Sequence, residues 1–103
     1  MSDTIVSTAS VATERGARYG KQLVSHLGRK SVGVWDEASV SGTLDMGDSA
    51  AHVTLKSTTD ALVITVEAAD TDVAAYQDIV GRHLERFGER DGLKVHWVRS
   101  EAK

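Results

Sequence analysis

Between Val32 and Val66, apolar residues recur at every second position in four short runs. The gaps between the runs are too short to carry parallel crossovers. Val32 and Val34 alternate with Gly33 and Trp35, and Val40, Gly42 and Leu44 alternate with Ser39, Ser41 and Thr43. Ala51, Val53 and Leu55 alternate with His52, Thr54 and Lys56. Leu62, Ile64 and Val66 alternate with Val63, Thr65 and Glu67. A parallel strand, buried on both faces, reads as one continuous apolar run, so this pattern predicts antiparallel sheet with one dry and one wet face. The rest of the chain has to cover the dry face.

Two helices are available for that. Ile5, Ala9 and Val11 predict a first strand, and Thr13 is a good N-cap for a helix running to about Leu27. Gly28 stops this helix, with Arg29 and Lys30 at the negative end of its dipole. At about 100° per residue its inner face is Gly16, Gly20, Leu23, Val24 and Leu27. A mid-helix glycine costs about 1 kcal/mol against alanine. Two of them on one face imply a close approach, either of the sheet or of a ligand.

Asp70, Thr71 and Asp72 open a second helix that runs to Phe87 and ends at Gly88. Its inner face reads as Val73, Tyr76, Val80, Leu84 and Phe87, with Phe87 near the centre and Ile79 and His83 at the margin. Asp91-Gly92 then turns into a closing strand over Leu93–Val98, and Met46-Gly47-Asp48-Ser49 and Ser57-Thr58-Thr59-Asp60 supply other turns. The order strand, helix, four strands, helix, strand predicts one α+β domain over residues 1–103. Its architecture is a two-layer sandwich, a mostly antiparallel sheet of about six strands with both helices on one face.

Composition narrows the chemistry. A chain of 103 residues forms a single domain, and folding buries roughly 65% of the surface its unfolded chain exposes. Two Trp, two Tyr and one Phe leave the core to Val, Leu, Ile and Ala. The net charge of -3 argues against a phosphate-tracking nucleic-acid binder. The absence of cysteine excludes disulfides, thiolate nucleophiles, iron–sulfur clusters and cysteine-based zinc sites. Met1-Ser2-Asp3-Thr4 carries no signal-peptide pattern, and no apolar run approaches the ~20 residues of a membrane span. A cytoplasmic protein without membrane or nucleic-acid partners is the expectation.

Thr13-Glu14-Arg15-Gly16-Ala17-Arg18-Tyr19-Gly20-Lys21-Gln22-Leu23-Val24-Ser25-His26 resembles the first-helix pattern of a small bacterial family, domain-of-unknown-function family 2218. Val66-Glu67-Ala68-Ala69-Asp70 and His83-Leu84-Glu85-Arg86-Phe87, followed by Leu93, Val95 and Trp97, resemble its second half. The resemblance implies no established activity and transfers no catalytic residue. Some relatives occur joined to, or beside, proteins that handle ferric siderophores, which implies an accessory role in iron use.

The residues themselves hold no phosphate-cradling glycine loop, no His-Glu-x-x-His and no nucleophile elbow. Of the four histidines, His52 and His96 are expected on the outer sheet face, and His26 and His83 at helix margins; no two are spaced as a helical metal clip. Each is either an ordinary surface or structural histidine or a general base or ligand donor. Arg18, Lys21, Arg29, Arg82, Arg86 and Arg90 are interspersed with Glu14, Glu85 and Glu89. They form either a solvated charged face or a groove between the helices for an anion, a property that many ferric siderophores share. Arg18, Tyr19, His26, His83 and Arg86 are the ligand-binding candidates, with no metal or other cofactor implied.

The leading expectation is a non-enzymatic binding or accessory module. A small enzyme using a histidine base in a helix–sheet cleft and a purely structural dimerising domain are the alternatives. Three geometric expectations accompany it. Trp35 lies on the outer sheet face and favours a homodimer. Phe87 is a core centre. Tyr19, not His26, meets His83 across an antiparallel helix pair.

Overall fold

The computed structural model describes residues 4–29, 31–47 and 50–101. It contains β1 (Thr4–Ala12), α1 (Gly16–Leu27), β2 (Val32–Asp36), β3 (Ser41–Met46), β4 (Ala51–Ser57), β5 (Ala61–Ala69), α2 (Val73–Phe87), a 3-10 turn over Glu89–Asp91, and β6 (Val98–Glu101). Lys30 of the expected helix end, Asp48 and Ser49 of an expected turn, and the N-terminal Met1, Ser2 and Asp3 lie outside the described residues. The expected order of strands and helices is the observed one.

All six strands form one sheet in the order β2-β3-β4-β5-β1-β6, and every neighbouring pair is antiparallel. The middle four strands in sequence form a meander. β1 then adds beside β5, pairing Thr4 with Ala69 and Ala12 with Ala61, and β6 closes the far edge. On the inner face Leu44, Val53 and Val66 line up across three strands, with Leu55 and Ile64 in the next row. All five are fully buried, as are Leu23 of α1 and Val73, Val80 and Leu84 of α2. Each such side chain contributes about 1.5–3 kcal/mol of hydrophobic stabilisation. α1 covers the β2-to-β5 half of the sheet and α2 the β5–β1 half.

Four local expectations are corrected. The first helix starts at Gly16 with Arg15, not Thr13, at its cap position, and the Thr13 hydroxyl instead accepts from the Arg15 amide. Hydropathy assigned Val32 and Val34 to the dry face, but they are 67% and 59% exposed, and Gly33 and Trp35 face the helices. The cause is the closeness of α1. A Cβ on Gly33 would lie 3.0 Å from the Val24 carbonyl oxygen, so the end of α1 rests where a side chain would project. Trp35 fills the space beyond, against Gly20 and Gly42, where added Cβ atoms would come within 2.8 and 2.7 Å of its ring. Gly16 meets Ser57 and the Ala61 carbonyl in the same way. The glycines of α1 therefore serve close packing of helix on sheet.

Phe87 is only half-buried at the edge of the core, and Leu84, one turn earlier, occupies the centre. The closing strand begins at Val98. Leu93, Val95 and Trp97 alternate because they pack on the C-terminal part of α2 before the chain reaches the sheet. Leu93 covers Gly88, Trp97 covers Gly81, and the Val95 amide donates to Glu85 Oε2 at 3.0 Å.

Candidate functional site

α1 and α2 lie side by side and antiparallel: Tyr19 meets the segment just after α2, while His26, a little under two turns further along α1, meets residues inside α2. His26 and His83 stack tilted, with ring centroids 5.0 Å apart. The edge of Phe87 completes the cluster, 5.5 Å from His26 and 6.2 Å from His83. The expected Tyr19–His83 contact is absent. The two helices are staggered by about two turns relative to that expectation, at about 1.5 Å per residue, so His83 comes level with His26.

The two imidazoles line a cleft of about 450 Å³ together with Leu27, Arg29, Ser31, Met46 and Ile79. A second depression of about 500 Å³ continues over α2, lined by Ile79, Arg82, His83, Glu85 and Arg86. His83 and Ile79 are the ridge between the two. His83 is held in place: its Nδ1–H donates to the Ile79 carbonyl oxygen at 2.7 Å. A carbonyl only accepts, so in the neutral ring Nε2 is the unprotonated nitrogen, free to accept a proton or a hydrogen bond.

The charges around the cleft are unequal in what they already hold. Arg82 is paired with Asp78 at 3.0 Å on its own helix. Arg29 and Arg86 make no ion pair among the described residues. Two uncommitted guanidiniums therefore border imidazole, Met46 and Ile79, Arg29 in the cleft and Arg86 in the depression. That combination suits an anion with a flat or apolar body, because guanidinium binds planar oxyanions through paired N–H donors and stacks on aromatic faces.

Tyr19 and Arg18 belong to the other end of the seam. Tyr19 is buried, and its hydroxyl donates to Asp91 Oδ2 at 2.5 Å, while Arg15 lies 3.7 Å from the same carboxylate. The bond to Asp91 raises the phenol above its ordinary 10.0, burial and the Asp91 charge add to this, and Arg15 and Arg18 oppose it. Of the five sequence candidates, His26, His83 and Arg86 thus share one surface, and Arg18 and Tyr19 sit apart from it. Met46 and Ser31 were missed. The signal available for them was weak, since each lies beside a turn whose path no local pattern fixes. Among the described residues no group of three or more His, Asp or Glu is placed to hold a metal ion, and no helix is long and apolar enough to cross a membrane.

A family model described as an uncharacterised protein conserved in bacteria matches residues 8–98. Among solved structures, the chain is similar to the NMR structure of PA4090 from Pseudomonas aeruginosa, with a TM-score of 0.69 and 29% identity, covering 91% of this chain and 95% of that one. No curated protein matches it.

Proposed function

The chain belongs to the DUF2218 family, uncharacterised proteins conserved in bacteria, and we propose that it is a non-enzymatic binding module whose ligand seats in the cleft between its two helices. The ligand class is a small anion with an aromatic or apolar body, the chemistry of a ferric siderophore. The role is accessory, delivering or holding that ligand for another protein. One observation carries the proposal: His26, His83 and Phe87 converge within 5.0 to 6.2 Å, the two imidazoles line a cleft with Arg29, His83 lines the adjoining depression with Arg86, and neither arginine makes an ion pair among the described residues. The family resemblance, with its link to siderophore handling, favours an iron-bearing anion over other anions.

Calorimetric titration with a ferric tris-catecholate, against the iron-free catecholate and citrate as controls, tests this. Binding that weakens roughly tenfold in Arg29→Ala or His26→Ala supports the proposal, since each charged hydrogen bond lost is worth about 1.5–3 kcal/mol. No heat at about millimolar ligand, a Kd range worth only about 4 kcal/mol, overturns it.

A second reading, a small enzyme with His83 as general base, is favoured by the Ile79 carbonyl that fixes the ring and leaves Nε2 free. It requires turnover that disappears in a folded His83→Ala variant and persists in Arg29→Ala. Turnover that survives His83→Ala removes it.

A further inference from the structure

The outer sheet face, which neither helix covers, carries an ordered arrangement. Val34, Thr43, Thr54, Thr65, Thr8 and Val98 are successive cross-strand partners and form one row across all six strands. Val34 and Val98 at its ends are exposed, and the four threonines between them carry no charge. Two residues to one side runs a parallel row through Asp45, His52 and Glu67, and two residues to the other side lies Lys56, beside Val63. Asp45 and His52 are joined at 2.7 Å, but Glu67 and Lys56 make no ion pair among the described residues. Their strands place them on opposite sides of the threonine row, so within one chain they cannot meet.

We propose that this face binds a second copy of the chain, face to face, about a two-fold axis lying along the threonine row. Such an axis lays each row of threonines and valines on its own equivalent. It exchanges the two flanking rows, so Lys56 of each protomer comes down over His52 of the other, between Asp45 and Glu67. A two-fold axis along the strands would instead lay the acidic row of one protomer on the acidic row of the other. Charge complementarity selects the first arrangement.

The two sheets then pack in the aligned manner, crossing at about 30° because each is twisted. Asp36, at the rim beside Val34, takes no part. Its carboxylate already accepts from the Ala38 amide and the Ser39 hydroxyl. Five strand spacings of about 4.8 Å and about five residues of strand length give a footprint of roughly 400 Å². That is about half of the ~800 Å² per partner of a standard interface, so the complex is a weak, reversible one. It does not depend on the cleft between the helices, which faces the other way.

Sedimentation equilibrium on the full chain tests the proposal, with circular dichroism confirming that each variant is folded. Wild type forms a dimer, Lys56→Glu or Glu67→Lys weakens it roughly tenfold or more, and the double exchange Lys56→Glu with Glu67→Lys restores it, since the charge pair is rebuilt across the axis. A wild-type monomer at about 500 µM overturns the proposal. So does a dimer indifferent to Lys56→Glu, or one that the double exchange fails to restore.

Discussion

Ser7 stands on the inner face of β1 with no exposed surface, and its hydroxyl has no hydrogen-bond partner among the described residues. A buried hydroxyl without a partner costs more than it contributes. Ser7→Ala is therefore expected to stabilise the protein by about 1 kcal/mol, read as a higher urea midpoint at unchanged m-value. Tyr19 is the opposite case, a buried hydroxyl well satisfied by Asp91. Its folded-state pKa is raised, so below the ordinary 10.0 the protonated phenol's contribution is complete. As pH climbs from 10 through the folded value, the unfolded chain releases the proton first, and stability falls. Tyr19→Phe should lower stability near neutral pH by about 1 kcal/mol and flatten the alkaline decline, which melting temperatures between pH 8 and 11 would reveal. In α2, Leu84→Ala should cost about 2–5 kcal/mol and Phe87→Ala clearly less, because only Leu84 is fully enclosed. Equal losses on chemical denaturation would contradict the helix's facing described above.

For the elements, the closest fit is α1 on β2 and β3. Gly20→Ala improves intrinsic helix propensity by about 1 kcal/mol. The added methyl, however, comes within 2.8 Å of the Trp35 ring, which is also enclosed by Gly42. Overpacking of that kind typically costs about 1–3 kcal/mol. The variant should thus be less stable than wild type, with a blue- or red-shifted Trp35 emission as the ring is displaced. A gain in stability would show that Trp35 moves aside freely. The facing of β3, β4, β5 and both helices was legible from periodicity, because in each the apolar set is large and has a single period. β2 was not, since its two valines outweighed a glycine and a tryptophan in hydropathy, and only the neighbouring helix decides between them. Nor was β6, because Leu93, Val95 and Trp97 alternate ahead of it while packing on a helix. Alternation reports that a segment has two faces and is silent about what lies on them.

At the scale of the molecule, the candidate site depends on the stagger of two helices, and nothing local encodes stagger. His26 and His83 were each placed correctly at the margin of their own helix. Their meeting follows from how far α2 slides along α1, which the lengths of β5 and of the loops around it determine. Arg86 was recognisable as a surface cation. That it and Arg29 hold no acid depends on where Asp78, Glu37 and Asp91 bring their carboxylates, to Arg82, Lys21 and Arg15 respectively.

The place of β1 also has a consequence in time. During synthesis β1 emerges first, yet both of its sheet neighbours, β5 and β6, are made late, and Ala12 waits for Ala61. Until then Thr4-Ile5-Val6-Ser7-Thr8-Ala9-Ser10-Val11-Ala12 is an uncharged, β-prone segment with no proline, the composition that pairs readily with copies of itself. Glu14, Arg15 and Arg18 follow at once and act as gatekeepers against that pairing. Nascent chains stalled before β5 should therefore remain protease-sensitive through β1, becoming resistant once Ala69 has cleared the exit tunnel. Polysomes, where unfinished copies crowd together, are where aggregation through β1 is expected.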